Sequence, residues 1–378
     1  MFTLLNIFII STIIFFLPIK EDAFWLPKNL LFTLFGIMFI GANYLYKRNR
    51  NFSNKWLGFI LIYITLHFGW FFMKPMIFSG IEGKMVWNLW NFLPTINTVI
   101  AILLIQILVE NTDDLRRWFD LSKILIWLSF GLSVYGILQY IGIDQIFGGF
   151  KWVLLTRSGK MTTFFGNSMQ TATYLAIVSP LCLMFKDLRY KIFYLVIAIA
   201  IFMTQSYLGI MVFIAGFLSY LIFTKKFKLA LLGFLLCVLS FFIFLKLFPD
   251  FFSMYGKILV YKQVFMDGCK VFFTGSGIGI FPFLNYGIGE LWMRDLGFEP
   301  LQIFREGGII LVILISGYLI NLGYRILNTE KTMLLIGYSA SLVAFIIAGL
   351  GGYTFHLAPL SLIGITYISS LEAQTKGD

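Results

Sequence analysis

Long apolar runs follow one another down the chain, and polar residues gather in the breaks between them. A bilayer-spanning helix needs roughly 20 mostly apolar residues. Runs of that kind lie near 3–19, 25–46, 56–73, 92–110, 121–142, 168–185, 190–205, 208–224, 228–248, 301–323, 331–350 and 355–371. The pattern predicts an all-α polytopic membrane protein with about twelve transmembrane helices, forming a single integral membrane domain over 1–378. The opening run, Leu4 to Leu17, has no basic flank before it and no small-residue cleavage site after it. It therefore reads as the first span and not as a signal peptide. The runs meeting at Gln205-Ser206-Tyr207 are close enough to predict a helical hairpin.

One stretch resists absorption into any span. From Pro249 to Gly308 the chain carries Asp250, Asp267, Glu290, Asp295, Glu299 and Glu306 alongside Lys257, Lys262, Lys270, Arg294 and Arg305. It includes an amphipathic run from Lys257 to Phe265 and a glycine cluster, Gly275-Ser-Gly277-Ile-Gly279. Residues 249–300 are thus expected to form a large loop between spans nine and ten.

Composition sharpens the membrane reading: 59% of residues are hydrophobic, 19% aromatic and 12% charged, whereas charged residues make up about a quarter of an ordinary soluble domain. The net charge of +11 lies between apolar runs, where cations orient spans and meet lipid headgroups, so no nucleic-acid partner is expected. Basic residues recur at alternate connections: Lys47, Arg48, Arg50 and Lys55; Arg116, Arg117 and Lys123; Lys186, Arg189 and Lys191; Lys225, Lys226 and Lys228; Arg325, Lys331 and Lys376. The positive-inside rule puts these, and both termini, in the cytoplasm. Cations kept at the other connections, including Lys20, Lys28, Arg157, Lys160, Lys257 and Arg305, oppose that signal and call for an anionic ligand. The three cysteines show no metal-binding or disulfide spacing, and no metal or cofactor is expected.

Four motifs bear on chemistry. Arg157-Ser-Gly-Lys160-Met-Thr162-Thr163-Phe-Phe-Gly166-Asn167 precedes a span; cations beside a helix start suit a phosphate, or anchor a loop at the headgroups. Thr204-Gln205-Ser206-Tyr207-Leu-Gly209 is either a polar knot facing a cavity or a plain tight turn. The glycine cluster has no βαβ context for a dinucleotide site; its glycines suit an anion or close loop packing. In Phe298-Glu299-Pro300-Leu-Gln302-Ile-Phe-Arg305-Glu306-Gly307-Gly308, Pro300 favours a helix start with Glu299 as N-cap, and Gln302 and Glu306 share its side of the helix. Carboxylate and guanidinium there form either a base and phosphate clamp or an ordinary ion pair. Of the histidines, His67 lies within a span and suits interhelical bonding, while His356, at the outer end of the last span, is the better candidate for chemistry.

Taken in order, these stretches resemble the O-antigen ligase and O-antigen polymerase family of membrane glycosyltransferases. The matching parts are Arg157…Phe164-Phe-Gly166-Asn167, Thr204-Gln-Ser206, Lys257…Tyr261…Gly275-Ser-Gly277-Ile-Gly279-Ile-Phe281, Leu301-Gln302-Ile-Phe-Arg305-Glu306-Gly307-Gly308 and Phe355-His356-Leu-Ala-Pro359. The resemblance covers roughly residues 130–370. It implies a GT-C type enzyme at the periplasmic face of the bacterial cytoplasmic membrane. The donor is an undecaprenyl-diphosphate-linked glycan, and the acceptor is another lipid-linked glycan in polymerases or lipid A core in ligases. It also implies independence of metal and nucleotide, and polymerases of this kind work with a chain-length regulator protein. The family often has Ser-Arg, Arg and His-Asn where this chain has Ser206-Tyr207, Lys257 and Phe298-Glu299; the last departure favours polymerase over ligase. Diphosphate departure needs fixed cations and the acceptor hydroxyl needs a base. Arg157, Lys160, Lys257 and Arg305 are the cation candidates, Gln302 and Glu306 candidate substrate contacts, and Glu299 and His356 the candidate bases. A transporter or flippase of the same lipid-linked sugar is the alternative from another class.

Overall fold

A computed structural model describes residues 2–14, 25–46, 55–78, 89–110, 114–143, 161–235, 254–275, 287–288, 291–292, 298–352, 354 and 358–375. The described chain is all-helical apart from one antiparallel pair of two-residue strands, β1 (Gly287–Ile288) and β2 (Leu291–Trp292). Its helices are α1 (Phe2–Ile14), α2 (Trp25–Tyr46), α3 (Lys55–Phe78), α4 (Leu89–Glu110), α5 (Leu115–Tyr140), α6 (Ser168–Cys182), α7 (Leu188–Met203) and α8 (Tyr207–Phe223). They continue with α9 (227–235), α10 (Met254–Lys270), α11 (Glu299–Asn328), α12 (Met333–Gly349) and α13 (Ala358–Gln374). Each of the apolar runs overlaps one of these helices within the described residues, and α10 is the additional one, formed by the amphipathic run in the long stretch. Among the described residues, α5 and α11 are long and apolar enough to cross a membrane.

α6 sits at the centre, packed against α5, α7, α8 and α12. Every residue from Thr171 to Cys182 is buried, the mark of a helix apolar all round and enclosed by others. Contact with α8 is close because small residues meet: a Cβ added at Gly209 would lie 2.2 Å from that of Ala172. α5 instead buries one stripe, from Trp118 through Leu121, Leu125 and Leu132 to Gly136, at the spacing of an amphipathic helix. α4 and α13 pack together with α1 and α2 close by, α3 lies on α11, and α10 covers the start of α11. A continuous hydrophobic core runs from α1 to α13.

Side-chain contacts sort the helix ends into two sets. At one, Tyr338 of α12 donates to the Trp118 carbonyl at the start of α5 (3.1 Å) and Tyr220 of α8 to the Leu183 carbonyl after α6 (2.7 Å). There Arg325 of α11 meets Glu372 of α13 (2.7 Å), and Lys225 and Lys331 are near enough for their charges to interact. At the other, Gln139 of α5 meets the loop before α6, Lys28 of α2 meets the end of α1, and Glu299 of α11 meets the segment after α12. We call these the basic end and the motif end.

The hairpin expected at Gln205-Ser206-Tyr207 is present, with α7 ending at Met203 and α8 starting at Tyr207. Lys28 departs from its expected place among loop cations. It lies in α2, buried, donating to the Ile13 carbonyl and standing 5.0 Å from the centre of the Phe165 ring. Its ammonium is thus held by one carbonyl near the last described residue of α1 and by an aromatic face.

Candidate functional site

The long stretch ends on a short helical arm whose polar residues are enclosed. Glu299, Gln302, Arg305 and Glu306 are only 4%, 2%, 9% and 3% exposed. Glu299, Gln302 and Glu306 fall on one side of the helix, as their spacing requires, and Arg305 is a quarter-turn from Glu306. Burial of Arg305 as well means that the arm is covered on more than one face. Charged groups are enclosed in this way only when the surrounding protein answers them, and each of the four is held by interactions within the fold.

Glu299 is not the N-cap expected from the sequence. Phe298 occupies that position with non-helical angles (φ −144°, ψ 88°) and no side-chain cap, and Glu299 is the first helical residue. Its carboxylate turns away from its own helix, and Oε1 accepts the Thr354 N–H at 2.9 Å. The Thr354 carbonyl in turn accepts from Ser361 Oγ of α13 at 3.2 Å. Glu299 also lies over Gly349 at the end of α12, where an added Cβ would sit 3.4 Å from Glu299 Cγ. The start of α11 is thus stitched to the connection between α12 and α13, which carries His356.

The arm ends at a backbone crossing. Gly308 breaks α11 with φ 68° and ψ −175°, angles open in practice only to glycine. Gly275, in the turn after α10, has φ 67°, and a Cβ on it would stand 2.2 Å from the Glu306 carbonyl oxygen; one on Gly308 would stand 2.2 Å from that of Phe273. Two backbones therefore touch where neither tolerates a side chain. The polar groups freed by the kink are taken up, as buried backbone groups must be: the Ile309 N–H donates to the Phe272 carbonyl (2.8 Å) and Tyr63 Oη of α3 donates to the Gly307 carbonyl (2.6 Å). α10 closes the arm from outside, with Tyr261 against Phe298, Val260 and Val264 near Leu301, and Phe265 against Phe304. Burial pushes the Tyr261 phenol above its usual pKa.

The loop before α6 is equally constrained. Gln139 Oε1 accepts the N–H groups of both Thr162 and Thr163, each at 3.0 Å, and Thr163 holds φ 47°, unusual for a β-branched residue. Asn167 caps α6 by accepting the Met169 N–H at 2.8 Å. By contrast, the hydroxyls of the 204–209 knot are consumed locally: Thr204 Oγ1 donates to the Ile201 carbonyl and accepts from the Ser206 N–H, and Ser206 Oγ caps Gly209. That is the plain tight turn.

Arg157, Lys160 and His356 lie outside the described residues, as do Gly277 and Gly279. Lys257 falls in α10 and His67 in α3, where their backbones alone are described. Among the described residues, no group of three His, Cys, Asp or Glu is placed to hold a metal. Sequence reading missed Tyr63, Gln139 and Thr354. Gln139, a carboxamide near the end of a span, was the visible one of the three; Tyr63 meets its partner 244 residues away, with nothing local to mark it.

In comparisons with known proteins, the chain matches no family model and no curated protein.

Proposed function

We propose that the chain is a multi-pass membrane glycosyltransferase of the O-antigen polymerase or ligase kind, polymerase favoured, acting on a polyprenyl-diphosphate-linked glycan. The observation that carries this reading is the enclosed arm: two carboxylates, a guanidinium and a carboxamide buried together at one end of an apolar bundle. A surface loop needs no such enclosure, and a catalytic group needs it to be positioned before substrate arrives. The membrane setting draws support from the composition, from the length of α5 and α11, and from apolar runs that overlap helices among the described residues. Basic residues at one end and enclosed charges at the other fit cytoplasmic and periplasmic faces respectively.

In the reaction, the acceptor hydroxyl oxygen attacks the anomeric carbon of the donor sugar, the bond from that carbon to the diphosphate oxygen breaks, and the hydroxyl proton passes to a base. Arg305, with Arg157, Lys160 and Lys257, balances charge gathering on the departing diphosphate. Gln302 and Glu306 hold sugar hydroxyls, and Glu299 or His356 takes the proton. No metal or nucleotide enters this scheme. The acceptor is a second lipid-linked glycan or lipid A core, and a chain-length regulator is the natural protein partner of the polymerase form.

Deleting the chain in its source organism and analysing the surface glycan tests the reading. Single repeats on the core are expected for a polymerase, and lipid-linked polymer with nothing transferred identifies a ligase. Retention of lipid-linked repeats on the cytoplasmic side marks a flippase, and an unchanged glycan overturns the proposal. Labelling Lys226→Cys and Asn285→Cys with a membrane-impermeant reagent in spheroplasts tests the orientation, with reaction expected at 285 and none at 226.

A further inference from the structure

α10 has three faces, and the burial pattern separates them. Val260, Val264 and Gly268, at i, i+4 and i+8, are buried against α11. Gln263, Asp267 and Lys270, at i, i+4 and i+7, form a polar edge on which Asp267 and Lys270 pair at 2.6 Å. Lys262, Phe265, Met266 and Cys269, at i, i+3, i+4 and i+7, form an exposed stripe, on which Phe265 is 55% and Met266 56% exposed. Phe273, 67% exposed, extends the stripe into the turn that follows. A helix washed by water on its outer side has no use for that stripe.

We propose that α10 lies along the outer-leaflet interface of the membrane, with Phe265, Met266, Cys269 and Phe273 against the acyl chains and Gln263, Asp267 and Lys270 toward water. This rests on the membrane reading above. A polar edge beside an apolar face is what a helix in the plane of an interface presents, and Lys262 at the head of the stripe has a stem long enough to carry its charge to anionic headgroups. Continuity argues the same way. The Ile309 N–H bonds to the Phe272 carbonyl, so the end of the stripe is level with α11 just beyond its kink, where Ile310 and Ile313 are also exposed. α11 is one of the helices able to cross a membrane, and its exposed apolar face runs directly into that of α10. Seated there, α10 sets the depth of the Gly275–Gly308 crossing and holds the charged arm at the level where a lipid-linked diphosphate resides.

The test uses the full chain in nanodiscs of phosphatidylethanolamine and phosphatidylglycerol, with nitroxides placed singly at Cys269, Gln263→Cys or Ile313→Cys and the other cysteines replaced. Collision rates with oxygen, which partitions into lipid, and with a water-soluble nickel chelate are compared, and variants whose thermal unfolding departs from the parent are set aside in favour of Met266→Cys or Lys270→Cys. Oxygen exceeding nickel at 269 and 313, with the reverse at 263, is the expected result. Nickel access at 269 with oxygen access at 313 overturns the placement of α10 while the membrane reading stands; nickel access at both defeats the membrane reading itself. Access of neither reagent to 269 means that protein, such as a second copy, covers the stripe, and that too overturns the proposal.

Discussion

The two ends of the bundle are made from the same kinds of residue put to different uses. At the basic end, Lys186, Lys225 and Lys226 are exposed on short connections and Arg116, Arg117 and Arg189 in the first turns of α5 and α7, and the ion pairs Lys123–Asp120 and Arg189–Asp187 are open to solvent. Such pairs contribute about 0–1 kcal/mol each, so these charges add little to stability. At the motif end, Glu299, Gln302, Arg305 and Glu306 are enclosed, and strained backbone recurs at Thr163, Gly275 and Gly308. Enclosing charge and straining backbone both oppose folding. The basic end does this more sparingly, with a left-handed backbone at Lys225 (φ 60°) and one enclosed carboxylate, Glu372.

The most damaging way to probe that difference is to fill the crossing. Gly308→Ala forces a Cβ to within 2.2 Å of a backbone carbonyl at angles alanine avoids, and should lose about 3 kcal/mol or more. Gly131→Ala on α5, where an added Cβ meets nothing within 4 Å, should be neutral or gain up to about 1 kcal/mol. Denaturant unfolding in detergent measures both, and equal effects would mean that the crossing is loose.

Next in size is the test of the arm as a catalytic element. Glu299→Gln keeps an oxygen for the Thr354 N–H, so its stability loss should stay within about 1 kcal/mol, while turnover falls roughly a hundredfold if the carboxylate takes the proton. His356→Ala is its pair: collapse of turnover there, with Glu299→Gln near normal, leaves Glu299 as the stitch between α11 and the segment bearing the histidine.

How much of this could be read beforehand differs between the two ends. Hydropathy located the helices because apolar runs are local. Glu299, Gln302 and Glu306 stood out as one face because helical spacing is also local. The Gly308 kink within α11, the Tyr63 hydroxyl on the Gly307 carbonyl and the turn of Glu299 toward Thr354 were not legible, since each depends on a partner distant in sequence. Lys28 misled for the same reason: its nearest apolar run marks only the start of a helix, and the Ile13 carbonyl and Phe165 ring that enclose it come from elsewhere.

A smaller effect is expected from the most enclosed charge pair at the basic end among the described residues. Glu372 is buried and Arg325 is partly exposed, so Glu372→Ala leaves a guanidinium that water reaches, at a loss of about 1–3 kcal/mol. Turnover per folded molecule should not change, because the pair lies at the end away from the arm. A fall in turnover without a fall in stability would break the division of labour between the ends.

The smallest expected effect concerns the turn at the motif end whose hydroxyls bond within the turn itself. Ser206 caps α8 through a bond of 3.3 Å to the Gly209 N–H, a long contact, so Ser206→Ala should fall at the weak end of the cap range, about 0.5–1 kcal/mol. Ser206→Gly should lose only a few tenths, because glycine adopts the cap angles and lets water reach the freed amide. If the 204–209 knot were instead a substrate contact, both variants would lose turnover alike, since both lack the hydroxyl. Equal catalytic loss with little change in unfolding would therefore extend the functional surface from the arm to this turn. A stability ranking of serine, then glycine, then alanine with normal turnover confines that surface to the arm and the loop before α6.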